Sequence, residues 1–310
     1  MSTLKKNQHY VWQYYLGGWA LDGKVWCKRR DQINPFNTST QNIAVERYFY
    51  QLFELTPDEL DYLKITISQA IHQRLREINQ GWVDQFQFSF KIRKLLERAP
   101  MTPQVHNELE EQLRDFEKTH VESFHSSIEE DAVIFIDNLR KQDASFLREV
   151  NTRNRFINFI SHQFCRTASM RNILIDAERK VHNPSQFNVD MERLWPVLSI
   201  IFATNIASSI VSKGSEYKIV FIRNNSNLHF ITGDQPVISL KRNDENSLDL
   251  YYPLTPDLAM IFTADELKFQ SKYLVIGDLE IQYYNHLIYS KSNTQIFGNA
   301  PEYLRNRKEI

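Results

Sequence analysis

A histidine set among amides stands near the start of the chain, Gln8-His9-Tyr10, with Gln13 four residues on. A neutral imidazole titrates near neutral pH and can serve as general base or metal ligand. Packed beside Tyr10 and Trp12, the same ring can instead bond to backbone and take no part in chemistry. Asp234 lies in Ile231-Thr-Gly-Asp-Gln-Pro236, just after a strand-forming run. A carboxylate held there can take a proton or bind metal, and Asp before Pro is also an ordinary way to satisfy the N–H groups of a turn. Gln163 and Arg166 share one helical face at a three-residue spacing. The planar guanidinium suits phosphate or carboxylate, and a buried pairing with Asp234 would use it equally well. Brought together, these residues would hydrolyse a phosphate ester, with His9 as base or ligand, Asp234 as second carboxylate and Arg166 as phosphate contact. Gln13, Gln163 and Asn285 would orient the substrate, and magnesium or manganese would be the metal if one is used.

Three further patterns carry less. Arg155 and His162 form an Arg-x6-His arrangement similar to the loose signature of helical HEPN-type RNases, about two turns apart on a helix. Asp265, Glu280 and Gln282 could pass for a magnesium set, but Glu280 and Gln282 sit at an expected helix start, where acids belong anyway. Tyr10, Trp12, Tyr14, Tyr15, Trp19 and Trp26 could stack bases beside Lys28-Arg29-Arg30, although core packing accounts for most of them. There is no HExxH, GxSxG, P-loop or dinucleotide fingerprint.

The elements that must position these residues divide the 310-residue chain into three stretches of one domain. Residues 1–50 read as an aromatic β-ribbon, with Asp22-Gly23 as a tight turn before the strand Lys24–Arg29. Residues 51–213 are helical. Thr56-Pro-Asp-Glu opens a helix running on one apolar stripe from Leu60 to Ile78, and others follow at 82–98, from Thr102-Pro103 to about 128, 131–142 and 144–175. The charge run Glu108–Lys118 reads as a solvated helix face. Asn183-Pro184-Ser185 breaks the helical run, and Asp190 caps a broadly apolar helix to about 213. Residues 214–310 switch to strands, with Tyr217–Arg223 paired to Leu228–Thr232 across an Asn-rich turn, further strands at 237–240, 249–254 and 258–263, a last helix at 279–290 and a charged end at Asn306-Arg-Lys-Glu. The fold class is α+β: N-terminal ribbon, helical central body, C-terminal antiparallel sheet with a last helix.

Composition narrows the function classes. Thirty-seven Lys plus Arg against thirty-eight Asp plus Glu give a net charge of -1, so any nucleic-acid contact must come from a local patch. Two cysteines, Cys27 and Cys165, and eight glycines argue against a disulfide framework, a cysteine-based zinc site or a phosphate-cradling loop. The stretch Trp195–Val211, broken by Ser199, Thr204, Asn205, Ser208 and Ser209, reads as too interrupted for the roughly 20 apolar residues of a membrane span. With no apolar leader after Met1, the expected setting is cytoplasmic, without a membrane partner.

Laid in order, the motifs resemble an uncharacterised bacterial family, DUF4238, whose members open with Asn-Gln-His-Tyr-Val-Pro-Gln-x-Tyr-Leu. The matches are Asn7–Leu16, Asn42–Tyr50, Gln163–Thr167, Ile231–Val237, Tyr252–Pro256 and Asn285–Ser290, with Trp12 in place of the family's usual Pro. The resemblance implies a shared fold and no known reaction. By analogy of setting it suggests an intracellular effector of the phage-defence or toxin type. The expected function is hydrolysis of nucleic acid, RNA ahead of DNA. The alternative is a non-enzymatic sensor or protein- or nucleotide-binding module whose polar motifs are structural. Either leaves a protein partner or a homo-oligomer open.

Overall fold

In the computed structural model, residues 6–181, 187–213, 216–240, 248–266 and 270–305 are described. The expected break at Asn183-Pro184-Ser185 and the charged end at 306–309 lie outside them. The architecture is α+β, with the helices in the middle of the chain and strands at both ends.

The N-terminal segment departs from a self-contained ribbon. Strand β1 (Asn7–His9) leads into a one-turn helix α1 (Gln13–Leu16), then β2 (Lys24–Arg29), β3 (Phe36–Ser39) and β4 (Val45–Arg47). Asp22-Gly23 does make a tight turn, with Gly23 at φ 72, but it closes only a single bridge between Leu21 and Lys24. β1 pairs with β4, while β2 lies between β3 and a strand from the far end of the chain. Paired only with each other, these short strands could bury little; the C-terminal strand supplies the missing neighbour.

Helix α2 (Pro57–Ser68) begins on a full capping box: Glu59 N donates to Thr56 Oγ1 at 3.2 Å and Thr56 N to Glu59 Oε2 at 2.8 Å. The stripe expected to run on to Ile78 stops at Ile67, and Ile71 and Ile78 are exposed. With Ala70 alone buried among residues 69–72, the apolar stripe lapses, and the chain breaks there and restarts as α3 (Gln73–Phe86), followed by α4 (Phe88–Leu96). α5 (Pro103–Arg140) runs unbroken for 38 residues, about 57 Å, through the point where two helices were expected. Val121, His125, Ala132 and Ile136 keep one of its faces buried across that join. Its charged face is only partly solvated: Arg93 of α4 pairs with Glu110 at 3.1 Å and with buried Glu117 at 2.9 Å. α6 (Val150–Cys165) and α7 (Ala168–Val181) come next. α8 (Met191–Ser212) starts at Asp190, whose carboxylate accepts from Glu192 N and Arg193 N. Contrary to the sequence reading, α8 is long and apolar enough to cross a membrane. It packs among α3, α6 and α7 in the core.

The remaining strands are β5 (Lys218–Asn224), β6 (Thr232–Gly233), β7 (Ile238–Ser239), β8 (Leu250–Thr255), β9 (Leu258–Thr263), β10 (Tyr273–Ile276) and, after α9 (Asp278–Lys291), β11 (Gln295–Gly298). They form a five-stranded sheet in the order β10-β5-β9-β8-β7 and, with β2 and β3, a four-stranded sheet β3-β2-β11-β6. The larger sheet is mixed rather than purely antiparallel, because β10 runs parallel to β5. Alternation divides its faces: Ile219, Phe221, Leu250, Tyr252, Met260 and Phe262 join the helical core, while Val220, Ile222, Tyr251 and Ile261 pack with Ile281 and Ile288 of α9. Residues 228–231 are not the expected partner of β5, whose two edges are taken by β9 and β10. An amide side chain meets their backbone instead: Ile231 N donates to Asn285 Oδ1 at 2.9 Å, and Asn285 Nδ2 donates to His229 O at 2.8 Å.

Candidate functional site

β1 and the first turn after it bring His9 and Gln13 against α5. There a cleft of about 290 Å³ is bounded by His9, Trp12, Gln13 and Tyr14 on one side and by Glu122, Ser126, Glu129, Glu130 and Val133 on the other. The α5 residues recur at four- and three-residue steps, so one helical face forms the whole wall. The amide of Gln13 reaches His9 Nδ1 at 3.2 Å, and His9 Nε2 lies 3.2 Å from Gln41 O. With the Gln13 NH2 facing Nδ1 and the Gln41 carbonyl facing Nε2, this arrangement matches an Nε2–H imidazole with Nδ1 turned to Gln13.

Behind the cleft lies a closed polar layer centred on Arg166, which is 1% exposed. Its Nε donates to Tyr50 Oη at 2.9 Å, Nη1 to Glu129 Oε1 at 2.5 Å and Nη2 to the carbonyl of His9. Glu122 stands 3.8 Å from Nη2, and Tyr50 Oη in turn donates to Arg166 O at 2.9 Å. Burial disfavours the guanidinium charge, but Glu129, Tyr50 and Glu122 more than offset it and hold the group protonated. Gln163 Nε2 donates to the same Glu129 oxygen at 3.3 Å. His9, Gln13, Gln163 and Arg166 thus gather around Glu122 and Glu129, and only His9 and Gln13 of the four border the cleft.

Asp234 and Asn285 lie in a different joint. The Asp234 carboxylate is fully enclosed and accepts from Asn293 N (2.6 Å), Thr294 N (2.7 Å), Gln295 N (2.9 Å) and the Thr294 hydroxyl (3.1 Å). Burial raises its pKa, and these four donors pull the other way. It closes the turn before β11, and Gln295 Oε1 passes the connection on by accepting Ala44 N at 3.2 Å. Other motif amides are used alike. Gln8 donates to Lys118 O and accepts Tyr50 N, and Gln235 donates to the carbonyls of Phe164 and Val237.

The lesser candidates separate. Arg155 is exposed and meets Asp131 at 3.0 Å, whereas His162, two turns along the same helix, is buried, so the Arg-x6-His pair does not meet at one solvent-facing site. Glu280 accepts Gly277 N at 3.2 Å as a helix-start acid. Tyr15 and Trp19 are core residues, with Trp19 Nε1 donating to Phe230 O at 2.9 Å, while Trp12 and Tyr14 flank the cleft. Among the described residues, no three His, Cys, Asp or Glu side chains are grouped to hold a metal ion.

Sequence reasoning missed Glu122, Glu129 and Glu130. The available signal was the spacing 122, 126, 129, 130, 133 along one helical face, hidden in a stretch that reads as a place for a helix to end.

A family model described as "Protein of unknown function (DUF4238)" matches residues 7–302. No curated protein and no solved structure matches the chain.

Proposed function

The chain belongs to the DUF4238 family, and on that footing we propose that it acts as a ligand-binding or sensor module, with the cleft between the His9–Tyr14 segment and α5 as its binding site. The motif residues, in this reading, are ties that hold the helical body to the two smaller sheets. One observation carries it: the side chains of Arg166 and Asp234, which a phosphoryl hydrolase would need at its centre, are buried, engaged inside the protein and outside the lining of this cleft. The cleft has the wrong sign for a phosphodiester. Glu122, Glu129 and Glu130 line it, with the Arg166 charge placed behind the first two, so a phosphate is repelled and an amine or guanidinium group is favoured. Trp12 and Tyr14 would add their ring faces to a cation. Thermal-shift titration with a panel of small amines and guanidinium compounds beside nucleotides checks this. Cations should raise the melting temperature of the wild type and not of Glu130→Gln, with nucleotides inert; stabilisation by nucleotides alone would overturn it.

A second reading keeps the hydrolytic expectation, including an effector of the phage-defence or toxin type acting in the cytoplasm on RNA or DNA. What favours it is His9 itself: an imidazole on the cleft wall, oriented by Gln13 and Gln41 and facing carboxylates, is arranged as a general base would be. Purified protein incubated with mixed RNA and DNA in magnesium or manganese decides between the two. Cleavage that His9→Ala removes without lowering the melting temperature would establish the hydrolase; intact nucleic acid leaves the binding module.

A further inference from the structure

Two imidazoles meet inside the α5–α6 interface. His125 of α5 and His162 of α6 are 1% and 2% exposed, with ring centroids 5.6 Å apart. The Tyr50 ring stands 4.8 Å from His125, and the Phe124 ring lies 5.4 Å from His162. Neither ring nitrogen of His125, nor Nδ1 of His162, has a hydrogen-bond partner among the described residues. Neutral imidazoles tolerate such an enclosure at the cost of a buried polar atom; an imidazolium does not.

The charged groups around the pair make that cost specific. Arg166 follows His162 by one helical turn, its N–H bonded to the His162 carbonyl at 3.0 Å. On α5, Glu122 and Glu129 stand three residues before and four after His125, and both carboxylates already face the guanidinium, at 3.8 and 2.5 Å. From the 48–51 turn, Tyr50 contributes a phenol whose own ionisation burial makes harder. A proton added to either histidine would therefore face a fixed positive charge and compete with Arg166 for its two counter-ions.

We propose that His125 and His162 form a proton-operated lock: uncharged, they let α5 and α6 close; charged, they force the two helices apart. The consequence reaches the cleft, because Glu122 and Glu129 belong both to its wall and to the layer around Arg166, which also holds the His9 carbonyl. Opening of the joint takes that wall away from β1. The lock does not depend on what the cleft binds.

The sign follows from burial. Desolvation, then Arg166, pushes the His162 pKa down to about 3, and the same causes with His162 added push His125 well below the ordinary value. The open state thus binds more protons than the closed one between about pH 6.5 and the lowered values, and opening becomes easier as pH falls through that window.

Hydrogen exchange on α5 and α6, corrected for intrinsic rates across pH 7.5 to 4.5, reads the lock directly. The opening constant should rise by about 100-fold per pH unit in the wild type below pH 6, by about tenfold in His162→Phe or His125→Phe, and hardly at all in the double variant. The single variants separate this response from protonation of the carboxylates. A wild-type opening constant that ignores pH, or a slope that the double variant retains, overturns the proposal. Should the double variant fail to fold, NMR titration of the unaltered protein replaces it. Both buried rings should stay neutral well below pH 6.5 while the joint is closed, and a ring that titrates near 6.5 without opening refutes the lock.

Discussion

Arg166 and Asp234 show how one residue type can look catalytic in sequence and act as a fastener in the fold. The guanidinium joins the β1 backbone, the Tyr50 phenol and α5 in a space without solvent. Removing it strands Glu129 and Glu122, so Arg166→Ala should lower unfolding free energy by about 3–5 kcal/mol, measured by urea denaturation. Asp234→Asn replaces an acceptor-only group, which takes hydrogen bonds at both oxygens, by one that turns donors toward backbone N–H groups. A loss of about 1–3 kcal/mol is expected from the same measurement. Both losses would appear with any cleft activity reduced only in proportion to unfolding. If either residue instead served catalysis, its removal would leave stability unchanged or raised. His9 and Gln13 differ, since their side chains reach the cleft, and of the polar residues first read as a catalytic set they are the two placed to meet a ligand.

At the scale of elements, joints decide the architecture. The β6 turn docks on the loop after α9 so closely that a methyl group built on Gly233 runs into the Ser292 hydroxyl and comes within 3.2 Å of Gln295 O. Gly233→Ala should therefore destabilise, and Ser292→Gly should recover part of the loss when combined with it, a coupling visible in a double-mutant cycle. The start of α2 is a second such place: Thr56→Ala breaks the capping box and should cost about 1 kcal/mol. Three helix starts were legible in sequence because capping is local, whereas those at Gln73, Phe88, Val150 and Ala168, without a Ser, Thr, Asp or Asn cap read from the sequence, were not. Thr56, Thr102 and Asp190 each accept the backbone N–H groups that their spacing predicted. Helix ends and strand partners were not. α5 continues through Glu129-Glu130-Asp131 because α6 and β1 cover the face that those acids interrupt, and no residue within the segment records that cover.

For the whole molecule, the alternating faces of the large sheet bind helices on both sides, and the chain's two ends share one small sheet through β2 and β11. Cys27 and Cys165 lie buried as free thiols, with burial pushing the Cys27 pKa up to about 12, so neither is a ready nucleophile. The α+β class, the apolar core helix, the helix caps and the family followed from the sequence alone, because composition, periodicity and motif order are properties of neighbouring residues. The strand order, the commitment of Arg166 and Asp234 to internal bonds, and the acidic wall facing His9 came only with the tertiary structure. The ties among them reach partners about 40 to 270 positions away, and a hydrogen bond or ion pair exists only when both ends reach the same few ångströms.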